Sequence, residues 1–125
     1  MKILIIEDDD SIINLYKNQL SNHIHGEKIK YIFAKTTQES REKFYGNKDV
    51  SVIVVDGCIL GSKERPNTTE LVKEFRKSFS GHMIAASGRQ DYRDLLVEAG
   101  CNDSHDKLEV HKKIAKLLDE FYGKK

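Results

Sequence analysis

Tryptophan is absent from this 125-residue chain, proline occurs once and cysteine twice. No apolar run approaches the roughly 20 residues that cross a bilayer, and Lys2 followed by Ile3 to Ile6 is too short for a signal-peptide core. Cys58 and Cys101 stand far apart with no second pair nearby, which leaves neither a disulfide framework nor a clustered zinc site and reads as two ordinary thiols. An excess of charge is also missing. Lys plus Arg number 21 and Asp plus Glu 20, a net charge of +1, so nothing draws the chain to nucleic acid or to an anionic membrane. A cytoplasmic protein of one domain, residues 1–125, is expected.

What is present is alternation. Short apolar runs are each followed by a helical pattern, the signature of βα units and a parallel sheet. A first strand covers Lys2 to Ile6, and a helix follows from near Asp10 with Ile12, Ile13, Tyr16 and Leu20 on one face. Lys28 to Ala34 sets Ile29, Tyr31 and Phe33 in alternation that begins with lysines, as an edge strand does, and Thr37 is the expected N-cap of a helix stopped by Gly46. Val50 to Val55 is nearly all apolar, hence a central strand. After a loop from Gly57 to Pro66, Asn67 or Thr68 opens a helix with Leu71, Val72, Phe75 and Phe79 in register. Met83 to Ala86 is the fourth strand, Tyr92 to Ala99 the fourth helix, and a polar fifth strand at Ser104-His105-Asp106 precedes a helix from about Leu108. Five such repeats, joined by right-handed crossovers, favour an α/β doubly wound five-stranded parallel sheet of order 2-1-3-4-5.

Four of these strands end on residues of one chemistry. Ile3-Leu4-Ile5-Ile6 runs into Glu7-Asp8-Asp9-Asp10, Val52-Ile53-Val54-Val55 into Asp56, Met83-Ile84-Ala85-Ala86 into Ser87, and the fifth segment into Lys107. Ligands of open α/β sheets gather at the carboxyl ends of the strands. Carboxylates brought together there repel one another unless a hard cation such as Mg2+ lies between them, and a lysine with a hydroxyl suits a phosphate. The pattern is that of a site for moving a phosphoryl group, with Asp56 as the best-placed nucleophile. Blander roles compete: Asp9 and Asp10 as first-turn acids of a helix, Ser87 as a helix N-cap, Lys107 as a solvated side chain.

The same residues in the same order resemble the receiver domain of two-component response regulators over essentially the whole chain. The stretches that carry the likeness are Ile3 to Asp9, Val54-Val55-Asp56 with Gly61, Ala86-Ser87-Gly88, and Gly100-Cys101-Asn102-Asp103 leading to Lys107. The resemblance implies a flavodoxin-like fold of the single-domain chemotaxis-regulator type. It implies a phosphoacceptor at Asp56, charged from a sensor histidine kinase or a histidine phosphotransfer protein. Mg2+ would be held by Glu7, Asp8, Asp56 and the backbone carbonyl of Cys58, with Ser87 and Lys107 on the phosphoryl oxygens. It also implies a signalling phosphoacceptor rather than an enzyme, acting on a downstream target protein or dimerising through the fourth helix, fifth strand and fifth helix. Because the chain ends after that helix, a stand-alone switch is expected, with an excised domain as the alternative.

Three departures from the family pattern stand out. Leu108 follows the lysine where proline in a cis peptide is usual; since a cis bond before a non-proline residue costs about 3 kcal/mol, that loop is expected to be strained or trans. Leu60 replaces a proline after the phosphoacceptor, which predicts a more mobile loop. Ser104 stands where the family has its switch aromatic, with His105 and Asp106 beside it, and Asp106 is expected to compete for the Lys107 ammonium. These changes support a second reading, a degenerate receiver that binds partners without phosphorylation. Residues that modulate phosphoryl lifetime in the family map to Cys58 and Arg89. A flavodoxin-like cofactor protein lacks its Gly-rich phosphate loop here, and a phosphatase of the aspartyl-phosphate type lacks a second acid two residues after Asp56. His23 and His25 have no third grouped metal ligand.

Overall fold

Burial on both faces dictates the middle of the molecule. In the computed structural model, which describes residues 1–61, 63 and 65–123, every residue of β3 (Val52–Asp56) is buried, as are four of the five in β1 (Lys2–Ile6) and in β4 (His82–Ala86). Such strands can only be central. β2 (Lys30–Ala34), half-buried with a lysine at its start, and the short polar β5 (Asp103–His105) form the edges. The sheet is wholly parallel and of order β2-β1-β3-β4-β5, as the pattern of repeats predicts.

Five helices cover the two faces. α1 (Asp10–Ser21) and α5 (Val110–Tyr122) pack Ile12, Tyr16, Leu20, Ile114 and Leu118 onto Ile3, Ile5, Val54 and Ile84. α2 (Thr37–Gly46), α3 (Thr69–Arg76) and α4 (Gln90–Ala99) pack Phe44, Leu71, Val72, Phe75 and Leu96 onto Leu4, Ile6, Ile53 and Met83, with the rings of Phe44 and Phe75 stacked at 4.0 Å. Alternate residues of each strand thus feed two separate cores, which leaves the strand ends, not the interior, for polar chemistry.

Several boundaries differ from the sequence expectation, each for a local reason. β2 begins at Lys30 rather than Lys28, because Gly26–Lys28 closes a 3-10 turn first. A Cβ on Gly26 would lie 2.1 Å from the Leu20 carbonyl oxygen, so the chain leaves α1 only through a glycine. The N-cap of α2 is Thr36 and not Thr37: its hydroxyl accepts from the Glu39 N–H at 3.0 Å, while the Glu39 carboxylate accepts from the Lys35 N–H at 2.9 Å. α5 starts at Val110 rather than Leu108. Asp106 belongs to the turn before it and not to β5, its carboxylate accepting from the Leu108 N–H and its carbonyl from the Glu109 N–H.

Candidate functional site

β1 and β3 lie side by side, so the residues that follow them meet. Glu7 is 1% exposed and Asp56 5%, while Asp8 is half-buried, and carboxylate oxygens of the three lie within 4.8 Å of one another. Lys107 reaches this group from the β5–α5 turn, its Nζ 3.6 Å from Asp56 Oδ2 and 3.9 Å from Glu7 Oε1. Asp8, Asp9, Asp56, Cys58, Ser87, Gly88, Arg89, Tyr92 and Lys107 line an open cleft of about 350 Å³. The fold therefore brings Glu7, Asp8, Asp56, Cys58, Ser87 and Lys107 to one place.

Asp9 lines the cleft, but neither it nor Asp10 belongs to the close carboxylate group. Asp9 caps α1, accepting from the Ser11 N–H at 2.9 Å and its hydroxyl at 2.6 Å, and Asp10 pairs with Lys35 at 2.5 Å. Asp106 does not compete for Lys107, because its carboxylate is committed to the Leu108 N–H at 3.0 Å. Ser87 is not an N-cap; α4 starts three residues later, and the Ser87 Oγ accepts from the Arg89 N–H at 3.1 Å in a local turn. The peptide between Lys107 and Leu108 is trans.

The described residues of the loop after Asp56 are bonded to the chain on both sides. The Leu60 N–H donates to the Lys35 carbonyl at 3.2 Å and its carbonyl accepts from the Thr37 N–H at 3.1 Å. Gly61 follows at φ +121°, where an added Cβ would lie 2.6 Å from the Thr37 Oγ1. Asn67 bonds both the N–H and the carbonyl of Ile59, and the buried hydroxyl of Thr68 donates to the carbonyl of Asp56 at 2.8 Å. Asn67 and Thr68 were legible in the sequence only as helix-start signals. Here they clamp the chain on either side of Cys58.

The electrostatics follow from burial. Desolvation, with the Asp56 charge beside it, pushes the Glu7 carboxyl up to about 8, against a smaller pull from Lys107. Asp56 is also raised, again by burial first, with Lys107 opposing. Lys107 is raised in turn by the two acids, which outweigh its own desolvation. Glu7 Oε1 is buried without a hydrogen-bond partner among the described residues, a demand that a cation beside it would meet. Three carboxylates with one ammonium are hard oxygen donors with surplus negative charge, and they fit a Mg2+ ion.

One neighbour escaped the sequence reading. Tyr16, fully buried in α1, donates its hydroxyl to the Lys107 carbonyl at 2.7 Å. Its burial and the nearby acids raise its pKa, so it stays a donor. Its apolar helical spacing marked only a core ring.

No family model and no curated protein matches this sequence. Solved structures do. A two-component response regulator from Clostridium difficile aligns with a TM-score of 0.76 and 19% identity over 98% of this chain and 96% of its own. The phosphorylated cyanobacterial phytochrome response regulator RcpA gives 0.69 and 20% identity over 97% and 92%. A CheY-like receiver domain from Methanospirillum hungatei JF-1 gives 0.68 and 21% identity over 95% and 94%. At these identities the likeness is one of architecture, and on it the chain has the fold of a response-regulator receiver domain.

Proposed function

We propose that this chain is a receiver that accepts a phosphoryl group on Asp56 in a Mg2+-dependent reaction and signals by protein contact. The observation that carries the reading is the convergence of Glu7, Asp8 and Asp56 with Lys107 at the carboxyl ends of three strands. Glu7, Asp8, Asp56 and the Cys58 carbonyl would hold the cation, which supplies charge neutralisation for the acids and the incoming phosphate. An Asp56 carboxylate oxygen forms the new O–P bond as the P–N bond of a donor phosphohistidine breaks, and the electron pair leaves on the imidazole nitrogen. Lys107 faces the phosphoryl oxygens from one side. Ser87, 4% exposed and lining the same cleft, donates its hydroxyl from another. Gly88 leaves the entrance clear, since a Cβ there would meet nothing within 4 Å.

The donor is a sensor histidine kinase or a histidine phosphotransfer protein, and the product acts on a downstream target or a second copy through α4, β5 and α5. Among the described residues no helix is long and apolar enough to cross a membrane, which suits the cytoplasm where such donors present their histidines. We place one receiver domain over residues 1–125 and no independent enzymatic activity. Incubation with Mg2+ and a small-molecule phosphodonor should add one phosphoryl mass to the wild type and none to Asp56→Ala. A silent wild type that also fails to bind beryllofluoride would defeat the proposal.

One observation favours a second reading, a receiver that binds partners whatever its phosphorylation state. β5 presents no aromatic, and its Asp103 is tied to His82 at 3.2 Å and to Lys113 at 3.2 Å. Beryllofluoride separates the two readings: binding that changes partner affinity supports the switch.

A further inference from the structure

The loop that carries Lys107 lacks the proline that would stiffen it, yet its backbone is anchored from across the molecule. Leu108 is 56% exposed and the peptide before it is trans, so neither packing of Leu108 nor a rigid ring holds the turn. Two bonds within the turn come from Asp106. Those fix its shape but not its position over the site. The Ser87 N–H holds the His105 carbonyl just before the turn at 3.4 Å. Among the described residues, the hydrogen bond that reaches the turn itself from across the molecule is the one from Tyr16, 91 residues away in sequence, at 2.7 Å.

We propose that Tyr16 is a positioning residue for Lys107: its hydroxyl holds the Lys107 carbonyl so that the ammonium stays within reach of Asp56. The inference rests on the phosphoryl-accepting reading above for its consequence, and on geometry alone for the positioning. The ring cannot drift, because it is 0% exposed and packed in the core with Ile12, Leu20, Ile84 and Val110. Its helix begins directly after Asp8 and Asp9, so one rigid element carries both the cation side of the site and the anchor for its lysine. Tyr16 touches no reacting atom; it acts through Lys107.

Tyr16→Phe keeps the ring and removes only the donor. The first readout needs no phosphoryl chemistry: brief acylation with an amine-reactive reagent, followed by peptide mass spectrometry. Lys107 should label about fivefold faster in Tyr16→Phe, the equivalent of one ordinary hydrogen bond, while exposed Lys48 and Lys116 keep their wild-type rates. The second is affinity for beryllofluoride in saturating Mg2+. It should fall by about the same factor, with Mg2+ affinity unchanged, and the loss should vanish when both proteins also carry Lys107→Ala. Unchanged Lys107 labelling would overturn the inference. So would faster labelling of all lysines together, which marks a loosened fold, or an equal beryllofluoride loss in the Lys107→Ala background. A wild type that binds no beryllofluoride would instead defeat the proposed function, and the labelling rates would still decide the role of Tyr16.

Discussion

In the metal-free protein, Glu7 should make stability fall as pH rises. Its carboxyl is 1% exposed, faces Asp8, Asp56 and the ammonium of Lys107, and is pushed up to about 8 from 4.5. Between those two values the folded chain holds a proton that the unfolded chain has released. Stability therefore declines across that window, and the loss is complete above about pH 8. Each tenfold difference in proton affinity is worth about 1.4 kcal/mol, so the full effect is on the order of a few kcal/mol, a large part of the stability of a small domain. Glu7→Gln keeps an oxygen for the Asp9 N–H, which now donates to Glu7 Oε2 at 3.1 Å, and cannot ionise. Urea unfolding of both proteins in EDTA at pH 5, 6, 7, 8 and 9 gives two stability curves, with the Glu7→Gln curve rising relative to wild type as pH increases. Saturating Mg2+ should narrow the gap above pH 7, because it stabilises the ionised wild type more than a variant that has lost one of the three carboxylates. Parallel curves in EDTA would show that Glu7 ionises as freely as an exposed acid, and the electrostatic account of the site would fail.

Other perturbations test other joints. Lys107→Gln should tighten Mg2+ binding, since a competing cation is removed from 3.6 Å of Asp56, while slowing phosphoryl uptake at least tenfold; metal titration and timed intact mass read the two effects separately. Thr68→Val leaves the Asp56 carbonyl without its buried donor and should cost about 1–3 kcal/mol in urea unfolding. Gly61→Ala must place a Cβ 2.6 Å from the Thr37 hydroxyl at φ +121°, for which a loss of about 1–3 kcal/mol is expected by the same measurement. Phe75→Ala, in the stacked pair under α3, should cost about 3–5 kcal/mol.

The parts legible in the sequence were those governed by local periodicity. An apolar run buried on both faces must be a central strand, and in a parallel sheet its last residue must emerge at the carboxyl edge. That is why Glu7, Asp56 and Ser87 could be grouped before any fold was known. Capping was decided by finer chemistry. Thr36 and Thr37 are adjacent and alike, and only the reciprocal bonds of Glu39 and Lys35 select Thr36. Asp106 read as a rival for Lys107 because it is next to it. The turn, however, points its carboxylate back at the Leu108 N–H, an ordinary use of aspartate that spacing alone cannot distinguish. Tyr16 lay beyond reach altogether, because a ring at a core position carries no sign of where its hydroxyl ends.

Charge balance then connects the acids to the lysine. With Glu7, Asp8 and Asp56 ionised and the Lys107 ammonium beside them, this group of four carries a surplus of two negative charges. The dry floor under Glu7 and Asp56 makes that state costly. In the metal-free protein that cost raises the proton affinity of Glu7 and of Asp56. A divalent cation would meet it without a proton, and would leave Asp56 ionised as the attack on phosphorus requires. A phosphoryl group accepted on Asp56, as proposed, would add fresh anionic oxygens, and Lys107 is a cation already within 4 Å of that carboxylate. An ammonium free to swing into solvent would leave those oxygens to the cation alone. A turn without its proline thus needs some other restraint, and the buried phenol of α1 is placed to provide it.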